Sequence, residues 1–90
     1  MNSRRVDRIQ LLLDAAFEPE SLSVDDDSHK HVGHEGAKDG LGHFSVSIVS
    51  SKFNGMKMLA RHRAVYAALD DMMTTDIHAL AIDAIASDEL

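Results

Sequence analysis

The residues best equipped for chemistry in this sequence are its histidines, and they are unevenly placed. Four of the six lie in "DDDSHKHVGHEGAKDGLGHF", residues 25–44, and the others are His62 and His78. Neutral imidazole is a common ligand for zinc, copper, nickel and iron. The spacing His29-x-His31-x-x-His34 has the density of a metal-binding run, but it lacks the helical scaffold that fixes paired ligands in motifs such as H-E-x-x-H. Without a scaffold the same stretch reads more readily as a solvated polar loop. His78 has a different setting, because it opens an alternating apolar run. A strand end is rigid, as a metal ligand needs, although a structural histidine is the more common occupant.

Three other stretches invite a chemical reading. "GHEG", Gly33–Gly36, matches the G-x-x-G pattern that clamps a nucleic-acid backbone in KH domains. There the glycines join two helices; here they would join two strands, and Glu35 would repel phosphate, so the match reads as accidental. "ARHRAVY", Ala60–Tyr66, puts Arg61 and Arg63 on a helix, with Lys57 just before it. That is a candidate surface for DNA or an acidic partner, or simply a helix with a basic polar face. Asp25–Asp27 could attract a cation but lack the EF-hand pattern and read as a charged strand end. There is no G-x-S-x-G elbow, P-loop or dinucleotide fingerprint, and no cysteine nucleophile, so the sequence reads as a non-enzyme.

Composition bounds these options. Ninety residues with 44% hydrophobic content suit one small domain, residues 1–90, with a core over about 4–86. Nine Lys and Arg against fifteen Asp and Glu give a formal net charge of −6, which argues against reliance on phosphate neutralisation. The absence of cysteine excludes disulfides and any cluster held by this chain's own thiolates, and it fits a reducing compartment. Leu11–Leu13 is too short for a signal-peptide core, and no run approaches a membrane span. The expectation is a cytoplasmic, soluble protein.

The elements that must position the histidines follow from periodicity. Val6, Ile9, Leu12 or Leu13, and Ala16 form the stripe of an amphipathic helix over residues 3–16, ended by Pro19. Leu22 and Val24 alternate with polar neighbours as a short strand. Phe44, Val46 and Ile48 do so as a second strand, leaving residues 25–43 as a long His- and Gly-rich connection of the kind that carries function. Asn54-Gly55 marks a turn. Leu59, Val65, Tyr66, Leu69 and Met72 give the main helix within 56–73, with a separate short turn as an option at its start. Ile77–Ile85 alternates as a third strand, with His78, Leu80, Ile82 and Ala84 expected to face the helices, so that His78 would begin a core-facing row. Right-handed crossover places this strand parallel to the second. The expected fold class is α+β: a single two-layer domain, α-β-β-α(α)-β, with a three-stranded mixed sheet and helices on one face.

Taken together, "DDDSHKHVGHEG", "HFSVSIVSSKFNG", "LARHRAVYAAL" and "IHALAI" resemble a BolA-like protein over roughly Arg8 to Ile82. The resemblance implies a KH-like domain without a functional G-x-x-G loop. It also implies a partner, a monothiol glutaredoxin, with which such proteins share a [2Fe–2S] cluster in iron–sulfur trafficking, assembly or iron-redox sensing. Bacterial members are described as transcriptional regulators of morphology and stress genes. The family's C-terminal histidine ligand falls on His78. Its second ligand, a Cys or His between the first two strands, falls best on His31, with His34 the alternative and His29 and His43 behind. On this reading the chain provides imidazoles only, while the glutaredoxin cysteine and glutathione supply thiolates. Imidazole in place of thiolate lowers the negative charge at iron and raises the reduction potential, and protonation toward about pH 6 competes with binding. The chain is expected to be a monomer alone and a heterodimer with glutaredoxin. Two alternatives remain: a DNA-binding regulator using Arg61, Arg63 and Lys57, and a mononuclear zinc or copper site made by the loop histidines.

Overall fold

A computed structural model describes residues 3–27 and 42–90. The chain runs through α1 (Ser3–Phe17), β1 (Ser21–Asp26), β2 (Gly42–Ser50), a 3-10 turn (Ser51–Phe53), α2 (Met58–Leu69), α3 (Met72–Thr75), β3 (Ile77–Ala86) and a second 3-10 turn (Ser87–Glu89). The sheet order is β1-β2-β3, with β1 antiparallel and β3 parallel to the central β2. This is the mixed sheet that the crossover rule requires. The G-x-x-G stretch, with His29, His31 and His34, lies outside the described residues.

One face of the sheet carries the core. Phe44, Val46 and Ile48 alternate inward from β2 and meet Ile9, Leu13 and Phe17 of α1, Val65 and Leu69 of α2, and Met72 of α3. The buried stripe of α1 is thus Ile9, Leu13 and Phe17 at four-residue steps, while Ala16 is exposed. The helix stops where Glu18 takes a φ of +45° ahead of Pro19, which disfavours helical geometry in the residue before it. Asn54-Gly55 forms the expected turn, with Gly55 at φ +79°.

Two expectations are corrected. The helical stretch expected over 56–73 is preceded by a short 3-10 turn, Ser51–Phe53, but it is also interrupted near its end. Asp70 adopts φ +47°, its amide closes on the Tyr66 carbonyl at 2.9 Å, and α3 follows as a separate turn. Aspartate is among the non-glycine residues that tolerate positive φ. The second correction concerns β3. Gly42 pairs with Ile77 but His43 pairs with Ala79, so His78 is an extra residue in β3, a bulge. The bulge shifts the phase of alternation: Ile77, Leu80, Ile82 and Ala84 turn toward the core, whereas His78 and Ala79 are both exposed. His78 therefore does not begin a core-facing row.

Candidate histidine site at the start of the third strand

His78 is held in place from three sides. Asp76, two residues earlier, accepts from Arg5 Nε at 3.1 Å and lies 3.7 Å from Arg8 Nη1, so the first helix grips the entry to β3. The Thr75 hydroxyl, then Arg5, keep the Asp76 carboxyl below its usual range against the opposing effect of burial. The Asp76 carbonyl accepts from the Gly42 amide at 2.9 Å, tying the same point to β2. The third restraint is a second imidazole. The His43 ring lies 5.0 Å from the His78 ring, centroid to centroid, with the planes 54° apart.

His43 belongs to the sheet face away from the helices, yet only 8% of it is accessible. Its carbonyl accepts from the Asp27 amide at 2.7 Å. Asp27 also accepts a hydrogen bond from the Ser45 hydroxyl. Beside the ring, a surface cavity of about 300 Å³ is lined by Asp27, His43, Ser45, Ala79 and Ala81. The methyl side chains of Ala79 and Ala81 leave that space open. Sequence reasoning ranked His43 low and placed it in the 25–43 connection, whereas the structure puts it on β2, which begins at Gly42; the missing signal was the one-residue bulge, which periodicity does not reveal.

The two arginines of the candidate nucleic-acid surface are not brought together. Arg61 is 5% exposed and falls on the buried stripe of α2 with Val65 and Leu69. Its guanidinium donates to the Met56 carbonyl at 3.0 Å, to the Ala84 carbonyl at 3.0 Å and to both carboxylate oxygens of Glu89 at 2.7 and 2.9 Å. A buried charge is tolerated only when its donors are met in this way. Glu89 in turn accepts from the Ala86 amide, and the Arg61 hydrogen bond is the main cause that lowers its pKa to about 2. Arg61 thus fastens the end of β3 and is not a surface cation. Arg63 and Lys57 are exposed, as are Leu59, expected in the core, and Tyr66.

Among the described residues no three His, Asp or Glu side chains cluster tightly enough to hold a metal ion by themselves, and no helix is long and apolar enough to cross a membrane. With this geometry in hand, comparison with known proteins is decisive. The family model of BolA-like proteins matches residues 13–89. The chain belongs to the BolA-like family. It is 41% identical to the Escherichia coli protein named DNA-binding transcriptional regulator BolA, covering 84% of this chain and 70% of that one. It is 42% identical to the chloroplastic BOLA1 of Arabidopsis thaliana, covering 87% of this chain and about half, 51%, of that longer protein. Among solved structures, the BolA domain of SufE1 from Arabidopsis thaliana superposes with a TM-score of 0.84 at 37% identity, over 96% of this chain and 95% of that one. These BolA-like relatives carry the names of regulators or of the family itself rather than of enzymes, and one is chloroplastic, so the family is not tied to one compartment.

Proposed function

We propose that this BolA-like protein is a non-catalytic, cytoplasmic partner of a monothiol glutaredoxin. In this role it contributes imidazole ligands to a shared, glutathione-containing [2Fe–2S] cluster used in iron–sulfur trafficking, assembly or iron-redox sensing. The observation that carries the reading is the exposed His78 imidazole on a bulge fastened to both α1 and β2. A bulge that re-aims one polar side chain out of a strand is a common device next to functional sites. The donor set is consistent with sharing, because a chain without thiolates cannot complete a cluster and leaves positions for a thiolate-bearing partner.

His78 would be the fixed ligand and His31 or His34 the second. Of the two, the family resemblance favours His31. The bound cluster would supply redox chemistry; this chain's residues would tune its charge by replacing thiolate with neutral imidazole.

The reading is tested by mixing the protein with a cluster-loaded monothiol glutaredoxin and glutathione. A one-to-one complex on size exclusion, with nitrogen couplings in the pulsed EPR spectrum of the reduced cluster that vanish in His78→Ala, is the expected result. Unchanged nitrogen couplings in that variant would overturn the ligand assignment.

A second reading, DNA binding, is favoured by the name of the Escherichia coli relative and by the exposed Arg63 and Lys57. It has to proceed without Arg61, whose donors are engaged inside the fold.

A further inference from the structure

We propose that the exposed edge of β3 over Ala79–Asp83 takes an extended, basic segment of another protein as a fourth strand. Among the described residues the sheet ends at β3. Successive residues of a strand turn their backbone groups to opposite sides, and the far half of this outer side is already occupied. The Ala84 carbonyl accepts from Arg61 Nη1 at 3.0 Å, and the Ala86 amide donates to Glu89 at 2.8 Å. By the same alternation the backbone groups of Leu80 and Ile82 point outward. Among the described residues, nothing outside the sheet bonds to them.

Burial marks the same boundary. In register with β2, Leu80, Ile82 and Ala84 stand beside Phe44, Val46 and Ile48. Those three and Ala84 are buried, but Leu80 and Ile82 are only half-buried, so the inward row of β3 is left open where its backbone is also open. An unpaired edge with apolar side chains is a template for an added strand. The opposite edge is less suited: β1 spans 6 residues, Ser21–Asp26, against 10 in β3, and it ends in Asp25 and Asp26.

The chemistry of the occupant follows from the open face of the sheet. An added strand would run about 4.8 Å from β3, with alternate side chains beside Leu80 and Ile82 and the others beside Ala79, Ala81 and Asp83. At Ala81 lies a surface cavity of about 230 Å³, also lined by Asp25, Ser45, Ser47 and Asp83. The alanine methyl lets a long side chain from the added strand cross into it. Two carboxylates line this cavity and, among the described residues, no lysine or arginine does, in a chain of formal charge −6. A lysine or arginine there meets a complementary field. The segment recognised is therefore one that alternates apolar and cationic residues. It is a site beyond the shared cluster, since it uses the β3 backbone and Asp83 and needs no metal ligand.

The test titrates the full chain with a blocked peptide of alternating valine and arginine and follows its backbone amides by ¹H–¹⁵N NMR and hydrogen exchange. The Leu80 and Ile82 amides are expected to shift together and to gain protection. Replacing the peptide's arginines with glutamates should weaken binding about tenfold, methylating its backbone nitrogens should abolish binding, and Asp83→Asn should weaken it about threefold. The inference is overturned if amides near Asp25 and Asp83 shift while Leu80 and Ile82 gain no protection, which is charge attraction alone. It is equally overturned if the protected amides are those of β1, or if no amide responds at millimolar peptide. Protection of Leu80 and Ile82 in the concentrated protein without peptide would overturn it too, by making a second copy of this chain the occupant. Because exchange is read in the unsubstituted chain, a poorly folded Asp83→Asn would leave the test intact. With no glutaredoxin or cluster present, its outcome is separate from that of the shared cluster.

Discussion

The two ends of β3 are built on opposite principles. At its close, Arg61 reaches in from α2 and spends its donors on Met56, Ala84 and Glu89, while Phe53 packs beneath against Phe17 at a ring separation of 4.9 Å. At its start, the backbone is fixed as firmly, by the Gly42 amide and by Arg5 on Asp76, but the side chain it presents, His78, is exposed. One end turns a charged residue into structure; the other uses structure to hold a reactive side chain at the surface. A cation on a helix is therefore not a binding residue by its type alone, and a histidine on a strand is not a core residue by its period alone.

Several substitutions would sharpen or break this contrast. The largest effect should come from the closed end: Phe53→Ala empties a fully buried site and should cost about 3–5 kcal/mol in urea unfolding. Arg61→Met should also lower the unfolding midpoint clearly, because it leaves the Glu89 carboxylate and two carbonyls without their shared donor. A midpoint equal to that of the unsubstituted protein would show that the clamp is not structural. The same clamp predicts an acid limb. The folded-state pKa of Glu89 is lowered from 4.5 to about 2, so its contribution is fully present above pH 4.5 and is lost as pH falls toward 2. Stability measured against pH should decline less over that window in Glu89→Gln.

At the open end the expected changes in stability are small. His78→Ala should shift stability by no more than about 0.5 kcal/mol, as for an exposed residue, while removing the proposed ligand. A large loss of stability would mean that His78 is structural after all. Arg63→Ala should be similarly silent in unfolding. If the DNA reading is correct, it weakens duplex binding and reduces the slope of log affinity against log salt by about one; no detectable duplex binding at about 50 mM salt removes that reading for the isolated chain.

Most of the fold was legible in residue periodicity, and most of what was missed traces to single residues. Phe44, Val46 and Ile48 announced a strand with one buried face, and right-handed crossover supplied the parallel pairing of β3. The exposure of His78 was not legible, because one inserted residue reverses the phase of every position before it while leaving the run of apolar residues unchanged. Leu59 and Tyr66 looked like core by type, yet four-residue steps back from Leu69 and Val65 lead to Arg61. Reading that spacing ahead of residue type would have placed Arg61 inside. His31 and His34 lie outside the described residues, so their proposed assignment as ligands rests on the family resemblance alone.

The central claim, that His78 is presented for metal ligation with a partner, is tested most directly by visible circular dichroism. A glutathione-ligated [2Fe–2S] cluster on a monothiol glutaredoxin is titrated with this protein and, separately, with His78→Ala. The prediction is a new spectrum that saturates at one equivalent with the unsubstituted chain and differs in the variant. No spectral change with either protein, or the same saturated spectrum with both, would contradict it.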